Sequence, residues 1–316
     1  RWNFVYGKRS YIHLVVSYLR PINGALNQCR RGTEQHPLIF RYSIFNINNR
    51  NLMENTWNRC VPTGLEEYAG DKQFATTLAR GLELLHCFTP ERPILGNSEM
   101  ASMLNLPKAT ISRLTYTLSC LGYLAPTEYY GKYRLGPATL SLGYPLLAQF
   151  TIRRSARPLM HKLAIALSCN VSIGIRDRNS MVYIEVVRAS GGIVYSHDVG
   201  STHPLLGTSM GRAYLMGCTP SMREALLNQV KVKEPEQWQL YGQKVMESFQ
   251  DYLQYGCCTA AGEVVPDVQA VAVPLGRIQG IDVAALSCTF QGRTPDVNWL
   301  RREVAPLLQA LAREIT

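Results

Sequence analysis

The chain has 316 residues, 46% hydrophobic and 18% charged, which suits two ordinary globular domains and excludes a disordered chain. No apolar run approaches the ~20 residues of a membrane-spanning helix, and no membrane partner is expected. The formal net charge is +10, but residues 1–52 hold eight basic residues and one acid while the remaining 264 hold 25 and 22, so the charge says little about a DNA partner.

Residues 1–71 precede the first legible pattern. The chain starts at Arg1, its first methionine is Met53, and its first 52 residues show no sustained helical or strand period. This stretch is expected to be an extension, disordered or non-native, upstream of a native start near Met53. The rival is a basic arm that drapes over phosphates. YIHLVVSYL (11–19) lacks a following small-x-small cleavage site, so a secretory leader is not expected. Nine cysteines, none in CxxC spacing, suit a reducing cytoplasm and read as small buried apolar residues.

From Lys72 the pattern sharpens. FATTLARGLELLHCF (74–88) places Phe74, Leu78, Leu82 and Leu85 on one helical face. TPERPI breaks the chain, and SEMASML (98–104) is a second short helix with Ser98 as N-cap. Pro107 suits the first turn of a third helix, which runs to about Cys120 and is ended by Gly122. YLAPTEYYGKYRLG then reads as two strands around a turn at Tyr129–Gly131.

Two helices joined by a tight turn need a small residue at their contact and a left-handed residue in the turn, and Ala101 and Asn105 supply them. Met100, Leu104, Leu106, Ile111 and Leu114 fill inward positions, with Ile111, Leu114, Leu118 and Leu121 sharing one face. Lys108, Thr110, Ser112, Arg113, Tyr116 and Thr117 are left outside that stripe. Their cations and hydroxyls suit base edges and phosphates in a major groove, and Lys132 and Arg134 suit a wing against the backbone. The plainer alternative is the solvated face of a structural helix. Residues 72–136 are thus expected to be a winged helix–turn–helix DNA-binding domain.

Residues 137–150 read as a linker helix broken near Gly143 and Pro145, and 151–316 as a second domain. There a helix ARPLMHKLAIAL precedes strands VSIGIR and MVYIEVVR, joined by DRNS, and a third strand GIVYSHDV. Short helices start at Thr208 and Ser221, a longer one spans Gln237–Tyr255, and strands VQAVAVPL and IDVAALSCTF join through GRIQG. VNWLRREVAPLLQALAREI is the last helix. This order indicates an α+β fold with an antiparallel sheet.

LNLPKATISRLTYTLSCLGYL followed by KYRLGP resembles the winged helix–turn–helix of the isocitrate-lyase-regulator (IclR) family of bacterial transcription factors. DVGSTHPLLGTSMGRAYL and DVQAVAVPL…GIDVAALS resemble two later segments of that family, so the likeness covers about 72–316. The resemblance implies a C-terminal GAF/PAS-like effector-binding domain that adjusts DNA affinity. It puts effector contacts at the start of a pocket helix, on Ser209 and Met210, and on the last strand, at Ser287 and Thr289. Two further pocket positions fall on Ala260 and Ala270. Their apolar character, with the bulk of Met210, points to an aromatic or larger hydrophobic acid. For Ser287 and Thr289, structural hydroxyls in a half-buried strand are an equal alternative.

GTSMG (207–211) also matches the G-x-S-x-G elbow of serine hydrolases. That elbow needs a strand running into the serine, and Pro204 is a poor strand residue. The usual chain order needs a histidine after the serine, and the last histidine is His203. His197, Asp198 and His203 lie near one another but lack helical metal-ligand spacing, and read as surface or loop residues. The expectation is a cytoplasmic transcription regulator with no enzyme activity, cofactor or metal. Its partners are a double-stranded DNA operator and a small-molecule effector, and it works as a homodimer or dimer of dimers.

Overall fold

The computed structural model describes residue 68 and residues 70–189, 198–292 and 295–316. Of the expected extension over 1–71, all but residues 68, 70 and 71 lie outside the described residues, as do Cys29, Cys60, His197 and most of the strand GIVYSHDV; Asp198 and Val199, its last two residues, are not in a strand.

Helix α1 (Thr76–His86) carries two apolar stripes; of the one expected to be buried, Leu78 and Leu82 face outward and only Leu85 packs partly against the core. Leu78 and Leu82 are 64% and 48% exposed, whereas Gly81 and Leu84 are buried with Cys87 and Phe88. Phe74 precedes the helix and stacks on Tyr68. Gly81 decides the orientation: a Cβ there would lie 3.9 Å from Leu114, so the stripe through Gly81 and Leu84 meets the core.

Strand β1 (Leu95–Gly96) leads into α2 (Asn97–Leu104). The N-cap is Gly96 and not Ser98, because Glu99 Oε2 accepts the Gly96 N–H at 2.7 Å and so sets the cap two residues earlier. Asn105 takes the left-handed conformation, φ 52 and ψ 44, and the Leu106 N–H closes onto Ala101 C=O. Helix α3 (Lys108–Cys120) follows, its first turn held by Pro107 C=O accepting from Thr110 and Ile111. It ends in a Schellman turn, with Gly122 at φ 78 and Tyr123 N–H donating to Leu118 C=O at 2.9 Å. The buried stripe is Ile111, Leu114, Thr115 and Leu118. Leu121 does not belong to it: it sits at the C-cap, where the chain turns away, and is 60% exposed. Strands β2 (Leu124–Pro126) and β3 (Lys132–Leu135) form the hairpin, and β1 adds on the far side of β3.

Helix α4 (Pro137–Gln149) is continuous, contrary to the expected break, although Pro145 has no N–H to give Ser141 C=O. None of its residues is buried. Helix α5 (Ile152–Leu167) precedes β4 (Asn170–Asp177), β5 (Ser180–Arg188) and β6 (Thr202–Pro204). Then come α6 (Ser209–Gly217), α7 (Pro220–Lys233) and α8 (Pro235–Tyr255). Helix α6 begins one residue after its expected start, because Thr208 caps it, and α7 begins at Pro220, one residue before its expected start, capped by Thr219. The chain finishes with β7 (Cys258–Ala261), β8 (Val268–Ile278), β9 (Ile281–Gln291), α9 (Val297–Trp299), a π-helical turn (Leu300–Val304) and α10 (Ala305–Ile315).

The sheet is antiparallel throughout, in the order β6-β5-β4-β9-β8-β7. Alternation along its strands builds two apolar layers. Val171, Ile173, Val271, Leu286 and Cys288 meet Met160 of α5 and Leu308 of α10. Ala272 and Ala285 share the opposite layer with Ala213 of α6, Val230 of α7 and Val245 of α8. Glu185, 2% exposed, ties β5 to α5 by accepting from Arg153 Nε at 3.1 Å and Arg157 Nη1 at 2.5 Å. Six of the seven described cysteines are buried as expected; Cys120 is exposed because it ends α3 on the solvent side.

Candidate nucleic-acid interface and effector cavity

The outward side of α3 presents Lys108, Ser112, Arg113, Tyr116 and Thr117 exposed, with Thr110 half-buried at its edge. Tyr116 is 72% exposed, which an apolar ring adopts at a cost unless something covers it. Not all of these groups are unengaged. Ser112 Oγ accepts from Asn97 Nδ2 at 3.2 Å, and Thr117 Oγ1 donates back to Arg113 C=O at 3.0 Å. On the wing, Lys132 Nζ lies 3.5 Å from Glu99, so part of its charge is already met, while Arg134 is exposed. Sequence reasoning passed over the wing tip, where Tyr129 and Tyr130 stand in solvent beside Gly131. Two adjacent aromatic residues in a turn were the available signal.

All six residues expected at the effector site line a single cavity of about 60 Å³. Ser209 and Met210 come from α6, Ala260 from β7, Ala270 from β8, and Ser287 and Thr289 from β9. Sheet register brings them together: Ala270 pairs both Ala260 and Thr289, and Ser287 lies two residues along β9 on the same face. Thr208 Oγ1 accepts from the Gly211 N–H at 3.1 Å. The Ser209 and Met210 amides therefore remain at the open end of α6, where a helix favours negative charge. Ser287 is 1% exposed, and its Oγ has no hydrogen-bond partner.

Tyr183, His203 and Glu263 also line the cavity and were not foreseen. Tyr183 could have been read from its place in an alternating strand; Glu263, on a loop, gave no signal. Burial pushes the Tyr183 hydroxyl pKa up, so the group is a neutral phenol. His203 is not the surface residue expected: it sits on β6, 4% exposed, with its ring 4.6 Å from that of Tyr183. Glu263 is neutralised by Arg212, a 1%-exposed side chain whose Nη1 lies 3.1 Å from it and also donates to Thr259 C=O. Among the described residues, no lysine or arginine lines the cavity.

A strand does precede GTSMG, since Pro204 is tolerated at the edge of the sheet in β6. Four residues separate it from Ser209, however, so strand and helix do not meet in a sharp elbow. The glycines have packing reasons. A Cβ on Gly211 would lie 1.9 Å from Leu205 O, and one on Gly207 would lie 2.7 Å from Val264.

These two surfaces and their scaffold define a DNA-binding helix–turn–helix regulator with a C-terminal effector domain. Residues 77–128 match the IclR helix-turn-helix domain, and residues 145–316 match the bacterial transcriptional regulator IclR C-terminal domain. The chain belongs to the IclR family of transcriptional regulators. It is similar to the HTH-type transcriptional regulator TsaQ1/TsaQ2 of Comamonas testosteroni, with 30% identity over 76% of this chain and 86% of the relative. The crystal structure of an IclR family regulator from Brucella abortus is 40% identical, covers 78% of this chain and 92% of its own, and superposes with a TM-score of 0.70. An IclR homologue from Microbacterium hydrocarbonoxydans, complexed with 4-hydroxybenzoate, shares the fold at 21% identity and a TM-score of 0.57, over 76% of this chain and 97% of its own. Among the described residues, no helix is long and apolar enough to cross a membrane.

Proposed function

We propose that this chain is a metabolite-responsive regulator whose effector is an aromatic or other organic acid, held with its carboxylate at the start of α6. In this reading residues 72–136 bind DNA, 137–150 link, and 151–316 bind the effector, in a cytoplasmic protein without enzyme activity. The observation that carries it is the Ser287 hydroxyl, buried without a partner in the same cavity as the free first-turn amides of Ser209 and Met210. A buried hydroxyl left unmet costs roughly 1–3 kcal/mol, and a carboxylate would meet it. The 4-hydroxybenzoate held by the Microbacterium homologue belongs to the same chemical class.

A second copy of the chain is part of the proposal. Leu78 and Leu82 on α1, and Leu140, Leu142, Tyr144 and Leu146 on α4, are large apolar side chains exposed to solvent. Apolar surface of that extent marks an interface. The assembly is a homodimer or a dimer of dimers, and a two-fold protein reads a two-fold operator through α3. Effector and DNA then influence each other by reciprocal coupling.

Selecting bound genomic fragments, then titrating the selected operator with wild type and Arg113→Ala at one salt concentration, tests this reading. Arg113→Ala should lose specific binding while effector binding is retained. Unchanged operator affinity would remove α3 as the reading helix. Stoichiometric labelling of Ser209 by a phosphonate probe would instead point to a hydrolase.

A further inference from the structure

The wing ends in a closed turn. Thr127 N–H donates to Lys132 C=O at 3.0 Å, Lys132 N–H donates to Tyr129 C=O at 3.1 Å, and Gly131 takes φ 70. Thr127 Oγ1 also accepts from the Tyr129 N–H at 3.2 Å. Thr127 and Gly131 thus supply the small and polar residues that a turn needs. Tyr129 and Tyr130 are not required to build it, yet they stand at its tip, 58% and 105% exposed. The other two tyrosines of the wing, Tyr123 and Tyr133, pack on the helix–turn–helix core. Among the described residues, neither tip side chain has a hydrogen bond, ion pair or ring contact.

The surface behind the tip points to what covers it. Along β3, Lys132 and Arg134 share the outward face while Tyr133 turns to the core. Lys132 Nζ lies 3.5 Å from Glu99 of α2, and Asn97 at the start of α2 donates to Ser112 on the outward side of α3 at 3.2 Å. Reading helix and wing therefore form one surface, and the tip is its end. A duplex whose major groove holds α3 offers a hairpin alongside it a minor groove only ~6 Å wide, room for one or two side chains. Charge does not account for the tip, because Glu128 is exposed beside the rings and the Lys132 ammonium is already partly met. The tip offers flat aromatic surface.

We propose that Tyr130, with Tyr129 beside it, enters that minor groove and wedges between two base pairs, kinking the operator next to the bases that α3 reads. The proposal rests on the DNA-binding reading above and deepens it. Unstacking costs least at pyrimidine–purine steps, so the protein selects such a step at a position that no side chain of α3 reaches.

The test uses the full chain and its selected operator, with 2-aminopurine placed in turn at each purine flanking the α3 contacts. Wild type should raise the fluorescence at one flanking step and bend the fragment in a circular-permutation gel. Tyr130→Ala should lose both signals and bind about tenfold more weakly, the equivalent of ~1.4 kcal/mol, with an unchanged slope of log K against log salt. Tyr130→Phe should keep both signals, and both variants should melt with the wild type because the side chain is wholly exposed. Three results overturn the wedge and leave the DNA reading standing: no fluorescence change at any step with wild type, signals that persist in Tyr130→Ala, or a smaller salt slope in that variant, which marks a phosphate contact instead. Failure of the wild type to bind any duplex specifically would overturn both.

Discussion

Ser287→Ala should change stability and ligand affinity in opposite directions. The side chain is 1% exposed, Oγ has no partner, and the cross-strand neighbours are Ser172 and Ala272, so an alanine methyl fits without repacking. A buried, unmet hydroxyl costs roughly 1–3 kcal/mol, and deleting it should recover about 1 kcal/mol, the low end of that range. For a domain of this size that gain is a rise of about 2–4 °C in Tm. In the complex the same hydroxyl would donate to a carboxylate, a bond worth about 1.5–3 kcal/mol, so effector affinity should fall by roughly 10- to 150-fold. Thermal melts without ligand, paired with calorimetric titration of an aromatic acid, measure both. A lower Tm would mean that the hydroxyl is a satisfied structural group. Unchanged affinity would remove it from the site.

On the wing, Arg134→Ala should reduce the slope of log K against log salt by about 0.9 per subunit. Lys132→Ala should reduce it less, since that ammonium already faces Glu99 at 3.5 Å. Equal slope changes for the two would contradict this division. Burial raises the Glu83 carboxyl pKa above 4.5, against the pull of Arg80 and Arg178, and its Oε1 has no hydrogen-bond partner. The folded state therefore holds that proton more tightly than the unfolded chain, and stability falls as pH rises through the folded value. Glu83→Gln should add about 1 kcal/mol at neutral pH, a gain that urea melts should see vanish below the ordinary carboxylate range. Glu185→Ala leaves Arg153 without its partner and should cost about 3 kcal/mol. Arg157→Ala should cost under about 1 kcal/mol, because that side chain is 61% exposed; similar urea midpoints for the two variants would refute the assignment.

The sequence made the helix–turn–helix legible because each of its parts needs a particular residue type: Ala101 at the contact, Asn105 in the left-handed turn, Gly122 after α3. It failed where two answers satisfy the same pattern. Helix α1 has apolar residues on two stripes, and only the packing of Gly81 toward Leu114 shows which is buried. Strands β1, β6 and β7 have two to four residues, too short for alternation to declare itself. The residues of the cavity come together through the pairing of β7, β8 and β9, partners distant in the chain. Resemblance to a family supplied six of those positions, and residue spacing alone supplied none. Glu263, on a loop, reaches the cavity through tertiary contacts that no local pattern encodes.

Helix α4 has thirteen residues, none of them buried; among the described residues Ala138 ties its start to Gly122 and Leu147 packs its end on the effector core, while the exposed Leu140, Leu142, Tyr144 and Leu146 lie between. At 1.5 Å per residue it is an arm of about 20 Å. A swing of ~10° at one end carries the other by about 3.4 Å, which is one base-pair step of duplex DNA. An angular change small enough to leave every packed layer of the effector sheet intact would therefore set a reading helix one base pair out of phase with its partner on a two-fold operator.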